Sequence, residues 1–285
     1  MEVLSQIAEL RRQVADWRAA GLTVGLVPTM GSLHAGHLSL VRCAGAAADR
    51  VIATVFVNPT QFGPNEDFER YPRNLGRDRE LLAGAGASLL FAPAVAEIYP
   101  GGTVGGTTVE VTGLADILEG RFRPGHFAGV ATVVTKLLNI AQVDVAVFGE
   151  KDFQQLVVIR RLVRDLCLPV RIVGAPIVRD VDGLALSSRN VYLSPAERAL
   201  APTLQRTLQA TRARVLAGER GWEQLESGAL EALTQAGFVP DYVAIRRAAD
   251  LGAPAADEAE LVILVAARLG TTRLIDNLRV EAVSA

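Results

Sequence analysis

The sequence predicts an α/β fold: a doubly wound parallel sheet with a second, smaller α+β domain at the C-terminus. Short apolar runs rich in β-branched residues alternate with helical patterns through the first half of the chain. This alternation favours parallel strands joined by right-handed crossovers. The composition then shifts after about Asn190, and 285 residues are enough for two domains. We place the domains at 1–177 and 178–285.

The elements of the first domain follow from hydrophobic period and length. The predicted strands are Val24–Pro28, Val51–Val57, Leu89–Ala92, Val143–Phe148 and Val170–Val178. The predicted helices are Gly36–Ala48, Leu75–Gly84, Phe127–Ala141 and Phe153–Leu166. In such a sheet, ligands bind where the strands end at their carboxyl side.

The second domain begins with a long helical pattern rich in Ala, Leu and Arg. One helix is predicted over Ser194–Ala217, with Ser194 as N-cap, Pro195 at the first position and Glu197 at the third. Another helix is predicted over Trp222–Gly237. A small sheet is predicted from Asp241–Arg246, Leu261–Ala267 and Thr272–Val280.

Composition bounds the class of protein. Half of the residues are hydrophobic, 21% are charged and the net charge is -2, as in a globular protein without a basic field for nucleic acid. Cys43 and Cys167 lie in apolar helical patterns, which indicates small core residues in a reducing compartment. We see neither a signal peptide in Met1–Ala20 nor an apolar run of membrane-spanning length, so we expect a cytoplasmic protein with no membrane partner.

Two of the three histidines lie three residues apart in Pro28-Thr29-Met30-Gly31-Ser32-Leu33-His34-Ala35-Gly36-His37. The segment is predicted to be a glycine turn between a strand and a helix, with both imidazoles on one face of the first helical turns. Free N–H groups and the positive end of the helix dipole favour a bound anion there, phosphate above all. Capping or solvent exposure is the alternative. Zinc ligation is less favoured, because no third ligand is nearby and no HExxH pattern is present.

Two more segments carry groups suited to anions. Gly149-Glu150-Lys151-Asp152 follows a predicted strand, where Lys151 is placed to meet phosphate and Asp152 is equally a helix cap. Gln155, in the next helix, either points into the same crevice or is solvated. Leu186-Ser187-Ser188-Arg189-Asn190 offers two hydroxyls and a guanidinium in succession, which form an anion clamp or a turn cluster.

The stretch Asn58–Arg73 is polar and lacks periodicity, which in a compact domain indicates a functional or disordered loop. Within it, Gln61 offers donors and an acceptor to a ligand with hydroxyl and carboxylate groups. The third histidine lies in Arg121-Phe122-Arg123-Pro124-Gly125-His126-Phe127 before a predicted helix. That segment either shapes the site or serves in capping or packing.

Several catalytic classes lack their sequence patterns. The chain has no acid pair, Ser-His-Asp order or nucleophile elbow, and neither GxxxxGK[ST] nor GxGxxG. What remains is a set of phosphate-suited groups without an obvious covalent nucleophile. That set suits nucleotidyl transfer, in which catalysis is mostly positioning and charge stabilisation.

The strand, His-x-Gly-His and helix together resemble the signature of the nucleotidylyltransferase and class I aminoacyl-tRNA synthetase superfamily. Leu186-Ser187-Ser188-Arg189 looks like the second, KMSKS-type phosphate loop of that superfamily. More closely, the chain resembles the pantothenate synthetase (pantoate–β-alanine ligase) family in five ordered segments: PTMGSLHAGHLSLV at 28–41, VFVNPTQFGPNEDFERYPR at 55–73, RPGHFAGVATVV at 123–134, GEKDFQQL at 149–156 and LSSRN at 186–190.

The resemblance spans nearly the whole chain and is least specific near Gly101–Thr107 and over much of 200–285. It implies a Rossmann-like domain at 1–177 that binds nucleotide and pantoate, followed by a lid domain at 178–285. It also implies ATP-dependent condensation of (R)-pantoate with β-alanine to pantothenate, with AMP and pyrophosphate released through a pantoyl adenylate, in coenzyme A biosynthesis. A homodimer that uses Mg²⁺ is implied as well.

The resemblance also implies roles for individual residues. ATP would contact Met30, Gly31, Ser32, Leu33, His34, Ala35, Gly36, His37, Gly149, Glu150, Lys151, Asp152, Val178, Leu186, Ser187, Ser188 and Arg189. His34, His37, Lys151 and Arg189 would be catalytic. Gln61 and Gln155 would bind pantoate, and Gln61 also β-alanine. Asp78 would help to hold Mg²⁺, although Asn74–Asp78 departs from the commoner acidic versions.

Two other functions stay open. One is a simple nucleotidylyltransferase that releases a dinucleotide-type product, against which the glutamine-bearing NPTQFG loop favours a ligase. The other is a regulatory nucleotide-binding module without catalysis. The intact His34, His37, Lys151 and Ser187-Ser188-Arg189 argue against that second function.

Overall fold

The chain divides into two compact units in the structure, a computed structural model that describes residues 1–64 and 66–281. The first unit contains Met1–Glu150 and Val158–Pro176, and the second contains Lys151–Val157 and the chain from Ile177 onward. The boundary predicted from the sequence lies one residue later, and the grouping of Lys151–Val157 with the second unit is not part of that prediction. The functions expected of the two domains stay predictions.

Within the described residues, the first unit is built on a six-stranded parallel sheet. Its strands are β1 (Glu2–Leu4), β2 (Val24–Thr29), β3 (Arg50–Val55), β4 (Leu89–Phe91), β5 (Val145–Gly149) and β6 (Arg171–Ala175). Their order is β1-β4-β3-β2-β5-β6. The chain therefore moves outward from β2 through β3 and β4, and then returns to the other side of β2 for β5 and β6. The predicted doubly wound fold is confirmed.

Helices cover both faces of this sheet. They are α1 (Ile7–Ala19), α2 (Ala35–Gly45), α3 (Leu75–Ala85), α4 (Val95–Ile98), α5 (Glu119–Phe122), α6 (His126–Ala141) and α7 (Phe153–Asp165). One apolar cluster joins the α2 side chain Val41 and the α3 side chain Leu82 to strand residues such as Val27 and Ala53. By contrast, α1 and α6 pack against each other and against β2 outside that cluster, which places them on the opposite face. None of the helices in the described ranges is long and apolar enough to cross a membrane.

As far as the structure describes the second unit, to residue 281, three helices pack with a small antiparallel sheet. The helices are α8 (Pro195–Leu200), α9 (Thr203–Leu216) and α10 (Trp222–Gln235), and the strands are β7 (Val239–Arg247), β8 (Glu260–Leu269) and β9 (Thr272–Glu281). The strand order is β7-β8-β9, and an apolar cluster that includes Leu204, Leu233 and Ile263 fills the space between sheet and helices. The predicted α+β domain is confirmed.

One helix prediction is wrong. The continuous helix expected over Ser194–Ala217 is two helices, because Pro202 lacks the N–H that an unbroken helix needs at this position. Pro202 is the N-cap of α9, and Ala201 before it keeps helical backbone. The predicted start is correct, since Ser194 and Glu197 form a capping box around Pro195.

Other differences lie at the ends of elements. The strand predicted to reach Val178 ends at Ala175, so Val178 lies beyond β6. Neither β1 nor α1 is foreseen by the sequence analysis. Edge strand β1 has three residues, too few for a period, and α1 carries charges around much of its surface, with Leu10 and Val14 as its buried residues.

The close approach of α6 to the turn at Pro59–Gln61 requires glycine at position 129. A Cβ at Gly129 would lie 2.6 Å from the carbonyl carbon of Thr60 and 2.8 Å from the Cα of Gln61, which is closer than atoms pack. Gly129→Ala is therefore expected to lower the free energy of unfolding by about 1–3 kcal/mol, as overpacking does. Urea unfolding followed by circular dichroism measures this change.

Gly84→Ala is the matched control. Gly84 is exposed in α3 and a Cβ there meets nothing within 4 Å, so alanine should raise stability by up to about 1 kcal/mol. Equal stability changes in the two variants would show that the contact with Thr60 is not a constraint.

Candidate active site

The His-x-Gly-His turn lies at the carboxyl end of β2, next to the carboxyl end of β5. The two strands pair in parallel through Gly25 with Val145 and Leu26 with Ala146, so both end at the same edge of the sheet. Because the chain order reverses on either side of β2, this edge is a topological switch point, where ligands bind in open α/β sheets. Gly149 and Glu150, at the end of β5, belong to the same edge.

The two histidines cap the helix that follows. His34 has extended backbone, with φ -136° and ψ 176°, and is the N-cap of α2. Its Nδ1 accepts a hydrogen bond from the N–H of Gly36 at 3.1 Å, and Nδ1 of His37 accepts from the N–H of His34 at 3.3 Å. His34 itself therefore precedes the helix as its N-cap and does not lie within the first helical turn. A reciprocal capping box brings the rings together.

This geometry fixes the proton on each neutral imidazole. A nitrogen that accepts a backbone N–H carries no hydrogen, so the proton of a neutral ring lies on Nε2. The two ring centroids are 4.1 Å apart and the planes are tilted by 44°. Hence the turn offers two Nε2–H donors side by side at the N-terminus of an 11-residue helix, whose dipole favours an anion.

Asp78 does not fit the magnesium role that the resemblance implies. Its carboxylate lies beneath the turn, 2% exposed, and its two oxygens accept the N–H groups of Ser32 and Leu33. Mg²⁺ takes six oxygens in near-octahedral geometry. The described part of the chain holds no group of three or more His, Cys, Asp or Glu side chains that could bind a metal.

Gln61 is held by a second polar network. It closes the 3₁₀ turn Pro59–Gln61, which is capped by the side chain of Asn58. The amide of Asn58 donates to Oε1 of Gln61 at 3.0 Å, and Nε2 of Gln61 lies 3.2 Å from the sulfur of Met30. The predicted pantoate residue Gln61 and the predicted ATP residue Met30 are thus brought together within the first unit.

Asn58, in the NPTQFG segment, is a functional candidate that the sequence pattern alone does not mark. It is 1% exposed and its side chain is fully engaged. Its amide also donates to the carbonyl of Gly129, and its oxygen accepts from the hydroxyl of Tyr99 at 2.8 Å. The signal that could have found it is an Asn directly before Pro at the start of a turn, a common capping position.

The third histidine supports the same turn from behind. Nδ1 of His126 lies 2.9 Å from the carbonyl oxygen of Gln61, and Nε2 lies 3.1 Å from Nη1 of Arg123. A carbonyl only accepts and a guanidinium only donates, so the proton lies on Nδ1. Arg123 also makes a bidentate ion pair with Glu66. Of the two interpretations left open for this segment, support of the site is the one that these contacts favour.

Burial and the neighbouring charge of Arg123 lower the pKa of His126 to about 4. Burial acts to raise the pKa of Glu66, but the hydrogen bonds and charge of Arg123 outweigh it, and that pKa lies below its ordinary value. At neutral pH this hydrogen-bonded series therefore consists of the carboxylate of Glu66, the guanidinium of Arg123, the neutral imidazole of His126 and the carbonyl of Gln61. This alternation leaves each polar group paired.

The second unit carries the remaining predicted residues. Lys151 is half-buried, and its carbonyl accepts a hydrogen bond at 2.9 Å from the side chain of Asn277, a 2% exposed residue of β9. Asp152 is exposed, and Gln155 is half-buried in the first turn of α7. Asn277 is thus a functional candidate that sequence reasoning missed, since nothing in a strand pattern marks a long-range contact.

Strand β9 also contacts the chain that leads into the LSSRN segment. Arg179 makes a bidentate ion pair with the buried carboxylate of Asp276, at 2.6 and 2.9 Å, and donates to the carbonyl of Gly183. The N–H of Leu186 donates to the carbonyl of Val178 at 3.0 Å. Two predicted ATP residues, Val178 and Leu186, are thereby joined.

Beyond this pair, Ser187 begins a 3₁₀ turn, Ser188–Tyr192, and its hydroxyl accepts from the N–H of Arg189 at 3.3 Å. The turn and anion-clamp interpretations of this segment are therefore compatible, since the cap orders the loop that carries Ser188 and Arg189.

A doubly wound parallel sheet with a His-x-Gly-His turn at its switch point defines a nucleotide-binding α/β protein. Residues 2–279 match the family model described as Pantoate-beta-alanine ligase, and the chain belongs to that family. It is 56% identical over 281 residues to the pantothenate synthetase of Stutzerimonas stutzeri, covering 99% of this chain and 98% of that protein. The pantothenate synthetase of Azotobacter vinelandii is 55% identical, with 99% of both chains covered.

Solved structures agree with the sequence comparison. The crystal structure of pantothenate synthetase from Thermus thermophilus has a TM-score of 0.89 and 50% identity, covering 99% of this chain and 100% of that one. The pantoate-beta-alanine ligase of Francisella tularensis, complexed with beta-gamma ATP and beta-alanine, has a TM-score of 0.77 and 34% identity, covering 98% and 97%.

The low pKa of His126 predicts a pH dependence of stability. The folded state keeps the imidazole neutral, whereas the unfolded chain takes up a proton near pH 6.5. The stabilising contribution is thus fully present above pH 6.5 and is lost as the pH falls toward about 4. We expect the titration of His126 to lower the free energy of unfolding by on the order of 3 kcal/mol over this pH range.

Urea unfolding at stepped pH of the wild type and of His126→Gln isolates this effect, because the carboxyl groups that titrate over the same range are present in both proteins. Gln retains a donor for the carbonyl of Gln61 but does not titrate. The wild type should lose more stability than the variant between pH 6.5 and 4. Parallel curves would contradict a buried neutral His126.

Proposed function

We propose that this protein joins pantoate to β-alanine at the expense of ATP, and releases pantothenate, AMP and pyrophosphate. The observation that carries the proposal is the pair of Nε2–H donors of His34 and His37 at the switch point of the sheet. Membership of the pantoate-beta-alanine ligase family supplies the substrates. The product is the precursor that coenzyme A biosynthesis uses.

In the first proposed step, a carboxylate oxygen of pantoate attacks the α-phosphorus of ATP in line. The bond from that phosphorus to the bridging oxygen breaks, and pyrophosphate leaves with the electron pair. Negative charge grows on the α-phosphate and on the leaving group. The Nε2–H groups of His34 and His37 and the N-terminus of α2 are donors suited to that charge.

Further phosphate contacts in this proposal are Lys151 and the hydroxyl and guanidinium groups of Ser187, Ser188 and Arg189. Lys151 supplies a mobile point charge and Arg189 a planar fork of donors. The remaining proposed ATP residues are Met30, Gly31, Ser32, Leu33, Ala35, Gly36, Gly149, Glu150, Asp152, Val178 and Leu186. Mg²⁺ would enter together with ATP and would offset part of the phosphate charge.

In the second proposed step, the amine of β-alanine attacks the acyl carbon of the pantoyl adenylate. The acyl–oxygen bond breaks, AMP leaves and the amine loses a proton as the amide forms. Gln61 and Gln155 hold pantoate, and Gln61 also meets β-alanine. The side-chain amide of Gln61 is suited to binding these substrates. Asn58 donates to its oxygen, and this hydrogen bond sets the direction of its N–H donors. No side chain forms a covalent bond.

A mixed anhydride hydrolyses in open water, so the proposal includes closure over the intermediate by the second domain and the loops at 58–73 and 182–190. It also includes a homodimer that forms through the N-terminal domain, and a cytoplasmic location. These points follow the family resemblance.

The proposal predicts the products and their dependence on each substrate. Pantoate, β-alanine, ATP and Mg²⁺ together should release one AMP per pantothenate. Without β-alanine, pantoate should still drive exchange of labelled pyrophosphate into ATP, because the adenylate forms first. A dinucleotide-type product without AMP would instead identify a nucleotidylyltransferase.

The histidine donors are tested by His34→Asn. Asn is a favoured N-cap and keeps an acceptor for the N–H of Gly36, so stability should stay within about 0.5 kcal/mol of the wild type. The lost Nε2–H should lower the exchange rate about 100-fold. Arg42→Gln, on the exposed surface of α2, is the control and should keep full activity. A fully active His34→Asn variant would overturn the donor role.

A further inference from the structure

The turn before His34 rests on a buried carboxylate. Oδ2 of Asp78 accepts the N–H of Ser32 at 3.0 Å, and Oδ1 accepts the N–H of Leu33 at 2.9 Å. Asp78 lies in the first turn of α3, where the positive end of the helix dipole favours a negative charge. Its exposed fraction is 2%, so water does not replace these bonds.

The backbone of the turn needs such an acceptor. Gly31 and Ser32 both have left-handed backbone, with φ of 82° and 53°, and for Ser32 this conformation costs free energy of about 1 kcal/mol or more. Two successive N–H groups then turn toward the interior. An unpaired buried N–H costs about 1–3 kcal/mol, so one carboxylate that accepts both stabilises a conformation that is otherwise unfavourable.

Side chains accept five backbone N–H groups of the turn. The hydroxyl of Thr29 accepts from Gly31, Asp78 accepts from Ser32 and Leu33, and the two imidazoles accept from His34 and Gly36. A shift at Asp78 is therefore passed along consecutive peptide groups to the histidine cap. The fit is close, since a Cβ at Gly31 would lie 2.9 Å from Oδ2 of Asp78.

We propose that Asp78 is a positioning residue of the adenylation step, which sets the direction of the His34 and His37 donors through the backbone of the turn. This role rests on the proposed function. This positioning role replaces the magnesium role for Asp78, because both of its carboxylate oxygens already accept backbone N–H groups of the turn.

Asp78→Asn tests the proposal. Asn keeps the size and one acceptor, but its NH₂ group faces the second N–H, so the turn must move. We expect kcat for pantoate-dependent pyrophosphate exchange to fall at least about 10-fold. The Mg²⁺ concentration for half-maximal rate and the KM for β-alanine in the full reaction should stay within about twofold of the wild type. Glu80→Gln, exposed on the same helix, is the matched control.

Wild-type kcat in Asp78→Asn would overturn the positioning role. A raised Mg²⁺ requirement, with the rate restored at high Mg²⁺, would also overturn it in favour of a metal ligand. If the variant does not fold, Gly31→Ala, which presses a methyl group on Oδ2, should show the same loss of kcat at unchanged Mg²⁺ requirement. An inactive wild type would instead reject the proposed function, since the inference concerns only differences from an active enzyme.

Discussion

The hydrogen bonds from Ser32 and Leu33 to the buried carboxylate of Asp78 are the constraint on which the rest of the site depends. They stabilise left-handed backbone at Gly31 and Ser32, and this backbone turns the chain from the end of β2 into the N-cap of α2. His34 can then accept from Gly36, and His37 from His34. The same bonds that satisfy the helix end leave each neutral imidazole with its proton on Nε2. Fold stability and the proposed chemistry are therefore two results of one set of backbone donors.

A comparable arrangement holds the turn that carries Gln61. Asn58 binds its side chain, His126 binds its carbonyl, and Gly129 lets α6 approach without overlap. In the second unit, β9 has the same function: Asn277 holds the carbonyl of Lys151, and Asp276 pairs with Arg179. In both units, buried polar residues hold a side chain or the backbone in or next to a proposed binding segment. Buried networks of this kind are rigid when every member is satisfied, which suits catalysis by positioning.

The fold class, most strands and the small sheet could be predicted because their hydrophobic period is local. The position of the His-x-Gly-His turn at a strand end could be predicted from the same pattern. The family resemblance implies which substrates bind there. The break at Pro202 could not be predicted from the helical propensity on both sides of it, and the edge strand β1 is too short to show a period. The roles of Asn58 and Asn277 could not be predicted either, and the resemblance implies a metal role for Asp78 that its contacts do not fit. Their partners lie 71, 126 and 46 residues away in the chain for the contacts that matter, and a one-dimensional pattern carries no record of such contacts.

The imidazole ¹⁵N spectrum of the free protein shows whether the turn fixes the protons of His34 and His37. At about pH 8 an ordinary histidine is neutral, and long-range ¹H–¹⁵N correlations report which ring nitrogen carries the proton. We expect His34 and His37 both to be protonated on Nε2, with Nδ1 unprotonated, and His126 to be protonated on Nδ1. Nδ1–H at His34 or His37, or a mixture of both tautomers in exchange, would show that the backbone of the turn does not fix the two donors.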